Sequence, residues 1–279
     1  MRISLIVAVA LVFSLVVSAC GKEGSALVAP VQPAAHVHGL GLNPADQSLY
    51  IATHDGLFRA AENSETAERV GASHQDTMGF TVRGANDFLG SGHPGPGQSG
   101  TPHLGLIESD DAGESWEEVS LSGEADFHVL RYAEGRIYGF NAYRSLLMSS
   151  DDDGASWRRQ AAPQGLIDFT IDPENPDRIL LSTETGLAAG DIGGERFRPL
   201  QGEVGFVAWP EADSLYVVDG LGGVHMSTDG GKEWGRVGEV GGQPVAFTAS
   251  ETELTVAGAD GTIFVSSDGG RDWEIRARL

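Results

Sequence analysis

Eight histidines occur in the chain, and seven of them stand before residue 130, a confinement that scatter over a surface does not produce. Three pairs spaced i, i+2 share that half: His36 with His38, Asp76 with Met78, and Asp126 with His128. On a β-strand, residues two apart project to one face, so each pair presents two ligating groups together. Imidazole suits copper and zinc, thioether favours Cu(I), and carboxylate supplies a hard donor. The chemistry this set supports is binding of a transition metal, Cu or Zn, by His36, His38, Met78 and His128, with Asp76, Asp126, His54 and His93 close by. Two other readings stay open. Buried polar groups must find partners, so the cluster could simply plug a channel by bonding to itself. It could also bind an organic ligand or act as a hydrolase, with Asp76 and Asp126 as the carboxylates of an inverting glycosidase; that needs one raised pKa and a separation of about 6.5–9.5 Å.

These pairs can converge only if a repeated architecture brings their strands together, and a repeat is present. Four segments match Ser-x-Asp-x-Gly-x-x-Trp: Ser109, Asp111, Gly113, Trp116; Ser150, Asp152, Gly154, Trp157; Ser227, Asp229, Gly231, Trp234; and Ser266, Asp268, Gly270, Trp273. The tryptophans are 41, 77 and 39 residues apart. The middle gap is two periods, and a worn copy at 190–197 fills it, keeping Gly194 and replacing Trp with Phe197. In each box Asp bonds backbone N–H groups that follow it, Gly accepts positive φ, and Trp packs between units. A period near 40 residues built of strands and turns is the mark of a propeller array. Each box follows two apolar runs parted by a turn, the pattern of strand hairpins: 38–42 and 49–53, 78–82 and 88–91, 128–132 and 137–140, 167–171 and 179–182, 204–209 and 215–218, 245–249 and 254–257. Six blades follow, making the fold class all-β and the architecture a six-bladed β-propeller. The first blade has no visible box, and its last strand falls near 67–70.

Aligned on their first strands, blades one to three carry His38, Met78 and His128 at one position, where blades four to six carry Ile167, Val204 and Val245. Polarity is thus confined to half of the ring. The second strand returns antiparallel, which sets His54 and His93 beside the starts of the first strands. The segment 92–105, with Pro94, Pro96 and His103, leaves the same edge; an insertion of that length in a compact fold is functional or disordered. All of these groups face away from the boxes.

The boxes resemble the Asp-box (BNR) repeat of sialidases, sortilins and photosystem-assembly propellers, where the box joins the third and fourth strands of a blade and is structural. Residues 35–279 as a whole resemble uncharacterised bacterial propellers labelled sialidase-like or glycosylhydrolase-like. The likeness is carried by His36-Val37-His38-Gly39-Leu40, by Thr53-His54-Asp55-Gly56-Leu57-Phe58, by Asp76-Thr77-Met78-Gly79-Phe80 and by Ser91-Gly92-His93-Pro94. It implies a propeller whose ligand face lies opposite the boxes, and no particular activity, since fold does not imply function. A true sialidase would need an arginine on the first strand, where this chain has His36-Val37-His38, and blades two and three offer no arginine at the equivalent position. A third expectation is an assembly or scaffold propeller with a protein partner on its face.

Composition narrows the partners. Forty Asp+Glu against 18 Lys+Arg give a formal charge of −22. Nucleic acid is excluded as a partner, because binding it requires clustered cations. At the N-terminus Arg2 precedes an apolar stretch at 5–17 that is too short for a membrane span. It ends in Val17-Ser18-Ala19-Cys20, which resembles a lipobox, and Cys20 is the only cysteine. S-diacylglyceryl modification would account for it, with acyl chains contributing about 0.8 kcal/mol per buried methylene. The division expected is a lipoprotein signal peptide at 1–19, a lipidated cysteine and flexible tether at 20–34, and the propeller at 35–279. The protein would then sit in the cell envelope, outside the cytoplasm and anchored to a membrane.

Overall fold

A computed structural model describes residues 36–194 and 196–279. The signal-peptide, lipidation and tether readings fall on residues outside these. The described chain is all-β and forms six four-stranded antiparallel sheets, the blades of a six-bladed propeller, at 37–69, 76–120, 127–161, 166–200, 205–239 and 244–278. Each sheet uses four strands in consecutive order, so no blade borrows a strand from another. Blade six closes on blade one by packing and by two backbone bonds, from Arg278 N–H to Glu65 O at 2.8 Å and from Ala67 N–H to Arg278 O at 3.2 Å. Among the described residues no helix is long and apolar enough to cross a membrane.

Six apolar clusters hold the blades together, one at each interface. The box tryptophans supply them: Trp116, Trp157, Trp234 and Trp273 each pack against the preceding blade, and Phe197 does so for blade four. The box itself is a closed turn. Ser150 Oγ donates to Asp152 Oδ1 at 2.8 Å and accepts the Gly154 N–H at 2.9 Å, while Asp152 Oδ1 accepts the Ser156 N–H at 2.8 Å. Gly154 has φ +86°, and a Cβ there would lie 2.5 Å from Leu106, so only glycine fits. The same Ser–Asp bond, 2.8 Å, recurs in the other three boxes. These carboxylates are consumed by their own turns.

The innermost strands carry a feature that alternation alone does not anticipate. In blade one Val37 pairs with Thr53 and Gly39 with Ala52, leaving His38 as an extra residue. Met78, His128, Ile167 and Val245 are extra residues at the matching place in blades two, three, four and six. A bulge of this kind shifts the side-chain alternation and re-aims the unpaired residue. Accordingly Val37 and Leu40, three apart, face one cluster, and Phe127 and Leu130 face another. Blade five has no such bulge: Gly205 and Phe206 pair in step with Asp219 and Val218. Val204 therefore lies ahead of its strand, Gly205–Glu211, and does not take the position that alignment on the first strands assigns to it.

Candidate functional site

The bulges turn His38, Met78 and His128 toward the mouth of the central channel, a cavity of about 420 Å³ that they line together with Arg131, Asp168 and Trp209. The rest of the site comes from strand ends at the same mouth. His54 follows the second strand of blade one and reaches across the blade boundary to Asp76, which opens the first strand of blade two, with Nδ1 and Oδ1 2.7 Å apart. His93 ends the second strand of blade two and repeats the move, its Nε2 lying 3.4 Å from Asp126 Oδ2 on blade three. Its Nδ1 lies 3.2 Å from Asp76 Oδ2. His128 Nε2 completes the row, 3.0 Å from the same Asp126 oxygen. Imidazoles and carboxylates thus alternate without a break from His54 through Asp76, His93 and Asp126 to His128. Blade three ends its second strand at Asn141 and blade four opens with Leu166, so the row stops where the apolar half begins.

Among the described residues two sets of three donors occur, each with its ligand atoms within 4.8 Å of one another: His38, His54 and Asp76, and His93, His103 and Asp126. His36 stands beside the first set, with its ring centroid 5.3 Å from that of His54. Met78 lines the channel, and His128 touches the second set through Asp126. The emphasis thus differs from the sequence-based grouping: His54, His93 and His103 are central, while His36, His128 and Met78 surround them. The reason is reach, because an imidazole at the end of a second strand spans to the carboxylate of the next blade. His103 sits in the insertion 92–105, which is pinned at both ends by Leu104 N–H to Gly92 O at 2.8 Å and Gly123 N–H to His103 O at 2.8 Å. Its ring packs 4.5 Å from Tyr143, a residue with no signal in the sequence pattern.

Three buried atoms of these sets have no hydrogen-bond partner: His38 Nε2, His103 Nδ1 and Asp126 Oδ1. Buried polar atoms are nearly always satisfied by protein, water or an ion. Burial, first, and then the neighbouring His54 lower the His38 pKa to about 4, against the opposing pull of Asp76; at neutral pH its ring is uncharged and offers a lone pair. For Asp126 burial pushes the carboxyl up, but the hydrogen bond and charge of His128, with His93 and His103 nearby, outweigh it and hold the group below the ordinary value. Neutral imidazole and ionised carboxylate are the forms that ligate metals. The opposite wall of the channel is structural. Asp168, fully buried, accepts from Arg131 Nη2 at 2.6 Å, Phe169 N–H at 2.8 Å and Val207 N–H at 3.0 Å, tying blades three, four and five together. Desolvation drives its pKa up despite these donors.

No family model matches the chain and no curated protein matches it in sequence. Solved structures share the fold. A gluconolactonase from Xanthomonas campestris superposes with a TM-score of 0.66 at 12% identity, over 87% of this chain and 86% of that one. YCF48 bound to D1 peptide gives 0.54 at 15% identity, over 88% and 82%. A GH74 xyloglucanase from Xanthomonas campestris gives 0.55 at 16%, over 88% of this chain but 46% of its own length. At these identities the likeness is one of fold.

Proposed function

We propose that this protein is a lipid-anchored, extracytoplasmic propeller that binds a transition-metal ion at the histidine–aspartate cluster of blades one to three. The observation that carries the reading is the pair of three-donor sets at the channel mouth, each containing a buried donor atom without a hydrogen-bond partner. Nitrogen and oxygen donors of this kind suit Zn²⁺ and Cu²⁺, and the thioether of Met78 close by adds a soft donor for copper. His38, His54, Asp76, His93, His103 and Asp126 would hold the metal, and His36 and His128 would orient the rings and carboxylates beside it. The envelope location and the anchor rest on the lipobox-like Val17-Ser18-Ala19-Cys20. The test is metal content and calorimetric Zn²⁺ and Cu²⁺ titration of the full chain in detergent. Stoichiometric binding, lost when His54 and Asp126 are replaced together by Gln and Asn, supports the reading; no uptake by the wild-type chain removes it.

A glycosidase built on Asp76 and Asp126 fits less well. An inverting enzyme needs an acid of raised pKa, whereas Asp126 is held low, and the His93 ring stands between the two carboxylates. A second reading is docking of a protein segment on the same face. It is favoured by Tyr143, 58% exposed against His103, and Leu221, 88% exposed, and by the peptide-bound state of the YCF48 neighbour. Binding of a peptide library that survives chelation of all metal would promote it.

A further inference from the structure

Deepening the metal reading above, on which it rests, we infer that the cluster is a two-ion centre in which Asp76 couples the ions. The two donor sets share no residue, since His38, His54 and Asp76 form one and His93, His103 and Asp126 the other. One ion cannot take both sets, because the imidazole of His93 lies between the two carboxylates, with one nitrogen 3.2 Å from Asp76 and the other 3.4 Å from Asp126. Each set also has its own buried, unpartnered atom: His38 Nε2 in the first, and both His103 Nδ1 and Asp126 Oδ1 in the second. Asp126 itself is only 6% exposed, so its free oxygen is aimed into the protein and not at bulk water.

Asp76 faces both sets with different atoms. Its Oδ1 lies 2.7 Å from His54 and 3.9 Å from His38, within the first set, while its Oδ2 holds the ring of His93, a donor of the second. Such a carboxylate is a ligand on one side and an orienting partner on the other, and orienting partners commonly change metal affinity by 10–100-fold. Filling the first site fixes Asp76, and Asp76 then fixes His93. Nitrogen and oxygen donor sets of this kind would suit divalent transition ions such as Zn²⁺ and Cu²⁺.

The test is Zn²⁺ stoichiometry of the full chain in detergent, measured by elemental analysis after chelation and reloading, together with the EPR spectrum of the Cu²⁺-loaded form. The wild type should bind two Zn²⁺ per chain and give a Cu²⁺ spectrum broadened by spin–spin coupling. His54→Gln and Asp126→Asn should each retain one ion and a sharp, uncoupled spectrum, and the retained ion shows that each variant is folded. Asp76→Asn should lose the first ion and weaken the second at least tenfold. A wild-type stoichiometry of one, lost equally in both single variants, overturns the two-ion centre while leaving the metal site standing; a stoichiometry of zero overturns both. Two ions with second-site affinity unchanged in Asp76→Asn overturns the coupling.

Discussion

Replacing His38 with leucine should remove a specific part of the protein's acid sensitivity. The His38 ring sits at a bulge with its side chain 17% exposed, and its pKa falls from 6.5 to about 4. In the unfolded chain the same ring protonates near 6.5. Between these values the unfolded state binds a proton that the folded state refuses, so stability is full above about pH 6.5, declines as pH falls toward 4, and levels off below. A shift of roughly 2.5 units at 1.36 kcal/mol per unit is about 3 kcal/mol. Urea unfolding of metal-free wild type and His38→Leu at intervals from pH 7.5 to 3 measures it. The wild type should lose about 3 kcal/mol more than the variant over that range, and the two curves should run parallel below pH 4. Parallel curves throughout would refute the burial of an uncharged imidazole at the channel mouth.

Three further outcomes follow from other parts of the molecule. A Cβ on Gly79 would lie 2.4 Å from Phe127 O, where the first strands of blades two and three approach; Gly79→Ala should cost about 1–3 kcal/mol and weaken Zn²⁺ binding by moving Asp76 from Asp126, whereas Gly84→Ala on the same strand, with nothing nearer than 3.8 Å, should do neither in denaturation and calorimetry. Arg131→Met strips the buried Asp168 of its cation and should destabilise by about 3–5 kcal/mol at pH 7; because Asp168 is already pushed toward the protonated form, the loss should shrink on acidification, read by thermal melts at pH 7 and 4.5. Cys20→Ser should abolish incorporation of labelled palmitate and move the protein from the membrane to the soluble fraction of a bacterial host.

The fold was legible because its signal is periodic. The Ser-Asp-Gly-Trp box returns every 40 residues or so with one function, a self-bonded turn followed by an aromatic that packs on the previous blade, and even the worn copy kept Phe197 for that contact. The location of the polar cluster was legible for a related reason: blades one to three share the register of their first strands, so His38, Met78 and His128 fall at one position on alignment alone. What alternation hides is the bulge. One unpaired residue per inner strand changes which face each side chain takes, and its absence in blade five misplaced Val204. The roles of His54 and His93 as bridges across blade boundaries depend on how far a ring reaches from a strand end, which spacing does not encode. His103 was visible as a histidine in a long insertion, but its approach to Asp126 depends on the path of that segment over blade three, and Tyr143 joins only through the same path.

Anomalous diffraction from crystals grown with Zn²⁺ and recorded at the zinc edge tests the central claim most directly. Peaks should appear at the channel mouth, one among His38, His54 and Asp76 and one among His93, His103 and Asp126, about 2.0–2.2 Å from their nitrogen and oxygen atoms. Anomalous density confined to surface carboxylates, with the imidazole–carboxylate row intact and bonded only to itself, would mean that the histidines plug the channel and bind no metal.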